Sequence, residues 1–158
     1  MRLFIVLATT ALVSGCTGES KIESICTDIA KDSLVDPSSM VINGLKVSRS
    51  EMKLSETYAA ISKKYGGNTP EVVTRHTDQL VNSTKLPEYV FVDIDYTANG
   101  GSGKVREMAS CTYIEGALPD IFLYAVTVGK NAFDASKLDE LFARVKKPRA
   151  LDSMYSVH

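Results

Sequence analysis

Residues 88–114 read EYVFVDIDYTANGGSGKVREMASCTYI, and this stretch decides the fold. Its first part alternates: Val90, Val92, Ile94 and Tyr96 fall on one face of an extended chain, and Phe91, Asp93 and Asp95 fall on the other, because successive strand side chains point to opposite faces. After the glycines the alternation resumes, with Val105, Ala109, Cys111 and Tyr113 sharing a face. Between them stand Gly100, Gly101, Gly103 and Lys104, a run that invites comparison with a phosphate-binding loop. The G-x-x-x-x-G-K-[ST] pattern needs a glycine where this chain has Ala98 and a hydroxyl where it has Val105. The dinucleotide pattern fails at Arg106, and a strand follows the lysine where a helix N-terminus should receive the phosphate. The glycines are therefore read as a hairpin turn, and no nucleotide is expected.

Working outward, MVINGLKVS (40–48) and IFLYAVTV (121–128) read as further strands. Ile22, Ile25, Cys26, Ile29, Ala30 and Leu34 recur at helical spacing, which predicts an amphipathic helix with Cys26 on its buried side, stopped by Asp36-Pro37. Leu54, Tyr58, Ile61 and Tyr65 mark a second helix closed by Gly66-Gly67, and Thr69-Pro70-Glu71 opens a third, with Thr69 as N-cap and Pro70 at the first helical position. Asp134 is read as the cap of a last helix carrying Leu138, Leu141, Phe142 and Val145. The expected fold is α+β: an antiparallel sheet of about four strands with helices packed on one face. It forms one domain over residues 22–148, with residues 50–86 a helical insert and 149–158 a loose tail.

The chain opens MRLFIVLATTALVSGC: one positive charge at Arg2, an apolar run from Leu3 to Val13 too short to span a bilayer as a helix, then small residues. Val13-Ser14-Gly15-Cys16 resembles the lipobox of bacterial lipoproteins. That resemblance implies removal of a signal peptide over residues 1–15, acylation of Cys16, and anchoring in a membrane through the acyl chains. Residues 16–21 are then expected to be a polar tether. Thr17 after the cysteine implies, in a Gram-negative host, the periplasmic face of the outer membrane. With Cys16 committed to lipid, Cys26 and Cys111 remain, either as two buried thiols or as a disulfide, and an exported, oxidising setting points to the bond. It would join the first helix to a strand.

With 18 basic and 19 acidic residues, the net charge of −1 offers no surplus to hold nucleic acid. His76 and His158 have no ligand-spaced partners, so neither a metal nor another cofactor is expected. Asp93 and Asp95, beside Tyr89 and Phe91 on the polar strand face, form the best candidate binding surface. A second resemblance joins Ala30, Leu34, Asp36, Pro37, Ser38 and Ser39 to Tyr96, Ala98, Asn99, Gly100 and Cys111. The pattern is similar to small exported domains of bacteria and phages, and it implies a fold without implying an activity. The expected function is a lipid-anchored binding module for an envelope protein, as an inhibitor or assembly factor. The alternatives are a small envelope hydrolase using Asp93 or Asp95 and an exclusion lipoprotein of a mobile element. On the lipobox reading, Cys16→Ser yields an unacylated protein released from membranes; cell fractionation with mass spectrometry of the N-terminal peptide checks it.

Overall fold

The computed structural model describes residues 17–158, so the signal segment and Cys16 lie outside the described residues. Five strands, β1 (Val41–Glu51), β2 (Glu88–Gly100), β3 (Gly103–Glu115), β4 (Phe122–Val128) and β5 (Asn131–Asp134), lie side by side in chain order, each antiparallel to its neighbours. The helices are α1 (Thr17–Asp32), α2 (Leu54–Lys64), α3 (Glu71–Leu80) and α4 (Leu138–Phe142). The class is α+β as expected, with β5 added to the four strands read from the sequence.

β2 and β3 pair without interruption from Glu88↔Glu115 to Gly100↔Gly103. Of the hairpin glycines only Gly103, at φ +123°, takes a backbone that other residues avoid. Val90, Val92, Ile94, Tyr96 and Ala98 are all buried, while Phe91, Asp93 and Asp95 are only half-buried. α1 lies on the buried face and contributes Ile22, Ile25, Cys26, Ile29 and Ala30 to the main core. Each such aliphatic side chain removed from water stabilises by about 1.5–3 kcal/mol. Cys26 and Cys111 form the disulfide, with Cα atoms 5.7 Å apart, and one turn earlier the Tyr113 hydroxyl donates to the Ile22 carbonyl at 3.0 Å. At the N-terminal turn Arg49 of β1 reaches Glu19 at 3.3 Å and Glu88 at 3.2 Å, and also pairs with Glu115. Leu138 and Leu141 of α4, followed by Val145, complete the cover.

The insert does something the apolar stripes did not reveal. Ala60 and Ile61 of α2 join Met52, Ile114, Ala117 and Phe122 in a second core, with Val73 of α3, Tyr89 and Tyr124 at its margin. Ile114 pairs with Tyr89 and therefore lies on the face opposite Tyr113. α2 and α3 thus cover one end of the second face, which corrects the expectation that all the helices pack on one face. Tyr124 is an extra residue in β4, since Thr112 opposes Ala125 while Tyr113 opposes Leu123. This bulge allows Leu123 and Val126, three apart in sequence, to point into the same core. α2 closes as expected: Gly66, at φ +60°, donates to Lys63 at 3.2 Å and Gly67 to Ser62 at 2.8 Å, the paired bonds of a Schellman ending.

Four further expectations are corrected. The tether is not extended chain from Thr17 onward, because residues 17–21 are already the first turn of α1, with Glu19 on Arg49 and the next residue, Ile22, in the core. The tail is not loose: Phe122 bridges Ser156 and Leu151 bridges Val157, with Leu151 buried. Asp134 does not cap the last helix. It ends β5 and accepts from the Ser136 amide and hydroxyl in an Asx-type turn, and α4 begins at Leu138. α3 starts at Glu71 with Pro70, not Thr69, in the N-cap place.

The sequence separation of 85 between the bonded cysteines gives the disulfide a loop-closure effect of up to about 4–5 kcal/mol. Cys111→Ser is expected to lower the unfolding free energy by a few kcal/mol, read as a drop in denaturant midpoint under non-oxidising handling of both proteins. Superimposable denaturation curves would contradict this role for the bond.

Candidate functional site

The face of the sheet turned away from α1 is covered by α2 and α3 only at its Tyr89–Ile114 end. Strand alternation and register place Lys46 and Ser48 of β1, Phe91, Asp93 and Asp95 of β2, and Arg106, Met108, Ser110 and Thr112 of β3 on the remainder. It is a shallow surface of short polar groups, the longer cations Lys46 and Arg106 and two larger apolar side chains, of which Met108 is 53% exposed.

The two carboxylates are held differently. Asp93 accepts a hydrogen bond from the Ser110 hydroxyl at 2.6 Å. Asp95 accepts from Arg106 Nε at 2.9 Å, is clamped by the second guanidinium nitrogen, and takes a further bond from Asn43 Nδ2 at 3.3 Å. The Arg106 guanidinium, helped by Asn43, holds the Asp95 carboxyl below the usual range, so this group is ionised at neutral pH. A carboxylate fixed in that state is suited to accepting hydrogen bonds from a ligand, not to donating a proton to one. Among the described residues no group of three His, Cys, Asp or Glu side chains is placed to hold a metal ion.

The four candidate residues do not form one patch. Tyr89 lies at the edge of the second core, its ring 6.0 Å from that of Phe91 and 6.2 Å from that of Tyr124, and burial pushes its phenol up. Phe91 links this aromatic cluster to the open face where Asp93 and Asp95 stand. Both aspartates are therefore accessible, whereas Tyr89 acts chiefly in packing.

The sequence motif split between residues 30–39 and 96–111 assembles at one end of the sheet. Asn99 donates its backbone amide to Ser39 Oγ at 2.9 Å and its side-chain amide to Asp36 at 3.2 Å. Ser38 donates to Asp36 at 2.6 Å and Ser39 to the Asp36 carbonyl at 2.7 Å. Ala30, Tyr96, Ala98 and Cys111 are core residues. The motif is thus a joint that fixes the α1–β1 turn to the β2–β3 hairpin.

Sequence reading missed Lys64. At the end of α2 its ammonium lies 4.4 Å from the centre of the Phe122 ring and donates to the Met154 carbonyl, next to a cavity of about 110 Å³ that Tyr155 and Asp139 also line. Tyr155 stands at φ +62°, the one non-glycine left-handed residue among those described; its hydroxyl donates to Asp139, and its ring stacks on Phe142 at 5.4 Å. Burial pulls the Lys64 ammonium down to about 8, with the Asp152 charge opposing the shift. No local signal marks this lysine, since its neighbours are supplied by a tail without periodicity. Comparison with protein-family models, with curated proteins and with solved structures finds no match.

Because the fold lowers the Lys64 value from 10.5 to about 8, the unfolded chain binds more protons between those limits, and this lysine makes stability rise with pH across that window. Tyrosine ionisation in the unfolded chain opposes the rise above about pH 10. Denaturant midpoints measured from pH 7 to 10 should therefore climb in the native protein, and Lys64→Met should flatten that slope; an unchanged slope would remove Lys64 as its source.

Proposed function

We propose that this protein is a binding module, held in the cell envelope through an acylated Cys16, whose ligand is another envelope protein that it inhibits or helps to assemble. The observation that carries the reading is the outer edge of β1. This strand pairs with β2 alone, and no strand lies on its other side among the described residues. Val41, Ile42 and Leu45 on it are 60%, 43% and 39% exposed. An edge of this kind presents backbone amides and carbonyls that can accept an extended segment of a partner, with side chains adding selectivity. The bulge between Ile42 and Gly44, with Lys46 and Arg49 beyond it, is the sort of irregularity that discourages edge-to-edge pairing of identical chains. That favours a different partner over a second copy. The open face beside the edge, with ionised Asp95 and exposed Met108, supplies polar and apolar contacts continuous with it.

Crosslinking in the intact envelope, followed by capture of the tagged protein, is expected to yield one stoichiometric protein. Leu45→Asp on the edge and Met108→Asp on the face, tested singly, should each reduce that yield at least about fivefold, with thermal stability changed only slightly, as is usual for surface substitutions. Turnover of a cell-wall, lipid or peptide substrate by the purified mature protein would replace this reading with an enzymatic one.

A further inference from the structure

Five of the chain's 18 lysines and arginines line one groove. Between α1 and residues 146–150 runs a groove of about 490 Å³ floored by the buried Ile25 and Pro148. Five cations line it, Lys21, Lys31, Lys146, Lys147 and Arg149, against two carboxylates, Asp28 and Asp32, in a chain whose net charge is −1. Two of the cations build the walls: Lys21 donates to the His158 carbonyl, and Lys147 donates to the Asp152 carbonyl at 2.9 Å while facing the Tyr155 ring at 5.8 Å. The other three, Lys31, Lys146 and Arg149, are exposed, and their side chains make no hydrogen bond or ion pair with any described residue. Unpaired cations gathered on a concave surface raise the local positive potential and attract anionic groups.

We propose that this groove docks on an anionic membrane surface, by contact of Lys31, Lys146 and Arg149 with phosphate headgroups. The inference rests on the reading that Cys16 is the lipid anchor, and the choice of a membrane over an acidic protein follows from where the chain leads. The apolar run Leu3–Val13 and Cys16 lie immediately before Thr17, which is already helical. Lys21 is four residues into that helix, about 6 Å along its axis at 1.5 Å per residue. With no residue between Cys16 and the helix, the Lys21 end of the groove starts beside the headgroups, and laying α1 along the surface brings Lys31, about 15 Å farther along the axis, to them as well. At that range an anionic surface attracts each Lys or Arg by about a factor of five in binding. Lying along the membrane through this groove, α1 would turn the opposite sheet face and its Asp95 outward.

The mature protein, bound to vesicles of phosphatidylcholine alone or with about a third phosphatidylglycerol, is treated with a membrane-impermeant amine acylating reagent and read lysine by lysine by mass spectrometry. On the phosphatidylglycerol vesicles, labelling of Lys31 and Lys146 should fall at least about fivefold and recover at high salt. Lys104, which pairs with Asn99 and projects from the face opposite α1, should label equally on both. Replacing the pair as Lys146→Glu with Arg149→Glu should restore Lys31 labelling on the charged vesicles, with the melting curve unchanged. Equal Lys31 and Lys146 labelling on the two vesicle types, or protection that survives the double substitution, overturns the proposal. The anchor reading is scored separately: salt-resistant flotation with neutral vesicles supports it, and its absence removes it. In that case headgroup-dependent protection on the charged vesicles still decides whether the groove docks.

Discussion

The structure depends on α1 being seated across β2 and β3. The sheet has one face with a continuous apolar stripe, Val90, Val92, Ile94, Tyr96 and Ala98, and the largest element available to dry that stripe is the helix that begins the domain. The Cys26–Cys111 bond fixes where it lies, and the Tyr113–Ile22 hydrogen bond and the Arg49 cluster fix its direction at the N-terminal end. Once α1 is in place, α4 and the 146–151 segment have a wall to pack against, and Leu151 has a core to enter. The second core, under α2 and α3, is a smaller addition at one end of the other face.

This arrangement makes the molecule two-sided. On the helical side, five of the chain's 18 cations line a concave groove beside α1; on the strand side, among the described residues, a shallow face is left uncovered next to an unpaired edge. Proteins ordinarily blunt an open edge, and here a bulge and two cations do so without hiding Val41, Ile42 and Leu45. Edge protection against self-association and exposure to a different chain are compatible because a bulge disrupts symmetric pairing more than it disrupts a partner shaped to fit it.

What was legible in the sequence follows the strength of local periodicity. β2 alternates strictly and β3 largely so because one face is dry and the other mostly wet, and α1 repeats every three to four residues for the same reason, so elements, faces and the helix-to-strand position of Cys26 and Cys111 could all be read. β4 was read as a strand, but its core-facing residues were not assigned, because Tyr124 inserts an extra residue and breaks the alternation. β5 is four residues long and half exposed, too short and too mixed to show a period. The tail is ordered by contacts from 30 or more residues away, such as Ile121 with Val157, and a short window carries no trace of these. Of the candidate surface, the separation of Asp93 and Asp95 from the core was visible in the alternation. The withdrawal of Tyr89 under the insert and the burial of Lys64 were not, because both depend on where α2 comes to rest.

The long sequence separation of the disulfide also sets an order of events. A chain made from its N-terminus produces α1 early, yet 85 residues more must appear before Cys111 exists for Cys26 to meet. During that interval an amphipathic helix with Ile22, Ile25 and Ile29 along one side has no sheet to lie on, and its cysteine lacks its native partner. The site where α1 packs and Cys26 is bonded is thus completed only with the sixth element of regular α or β structure, β3. Correct oxidation is thus a matter of timing as much as of geometry.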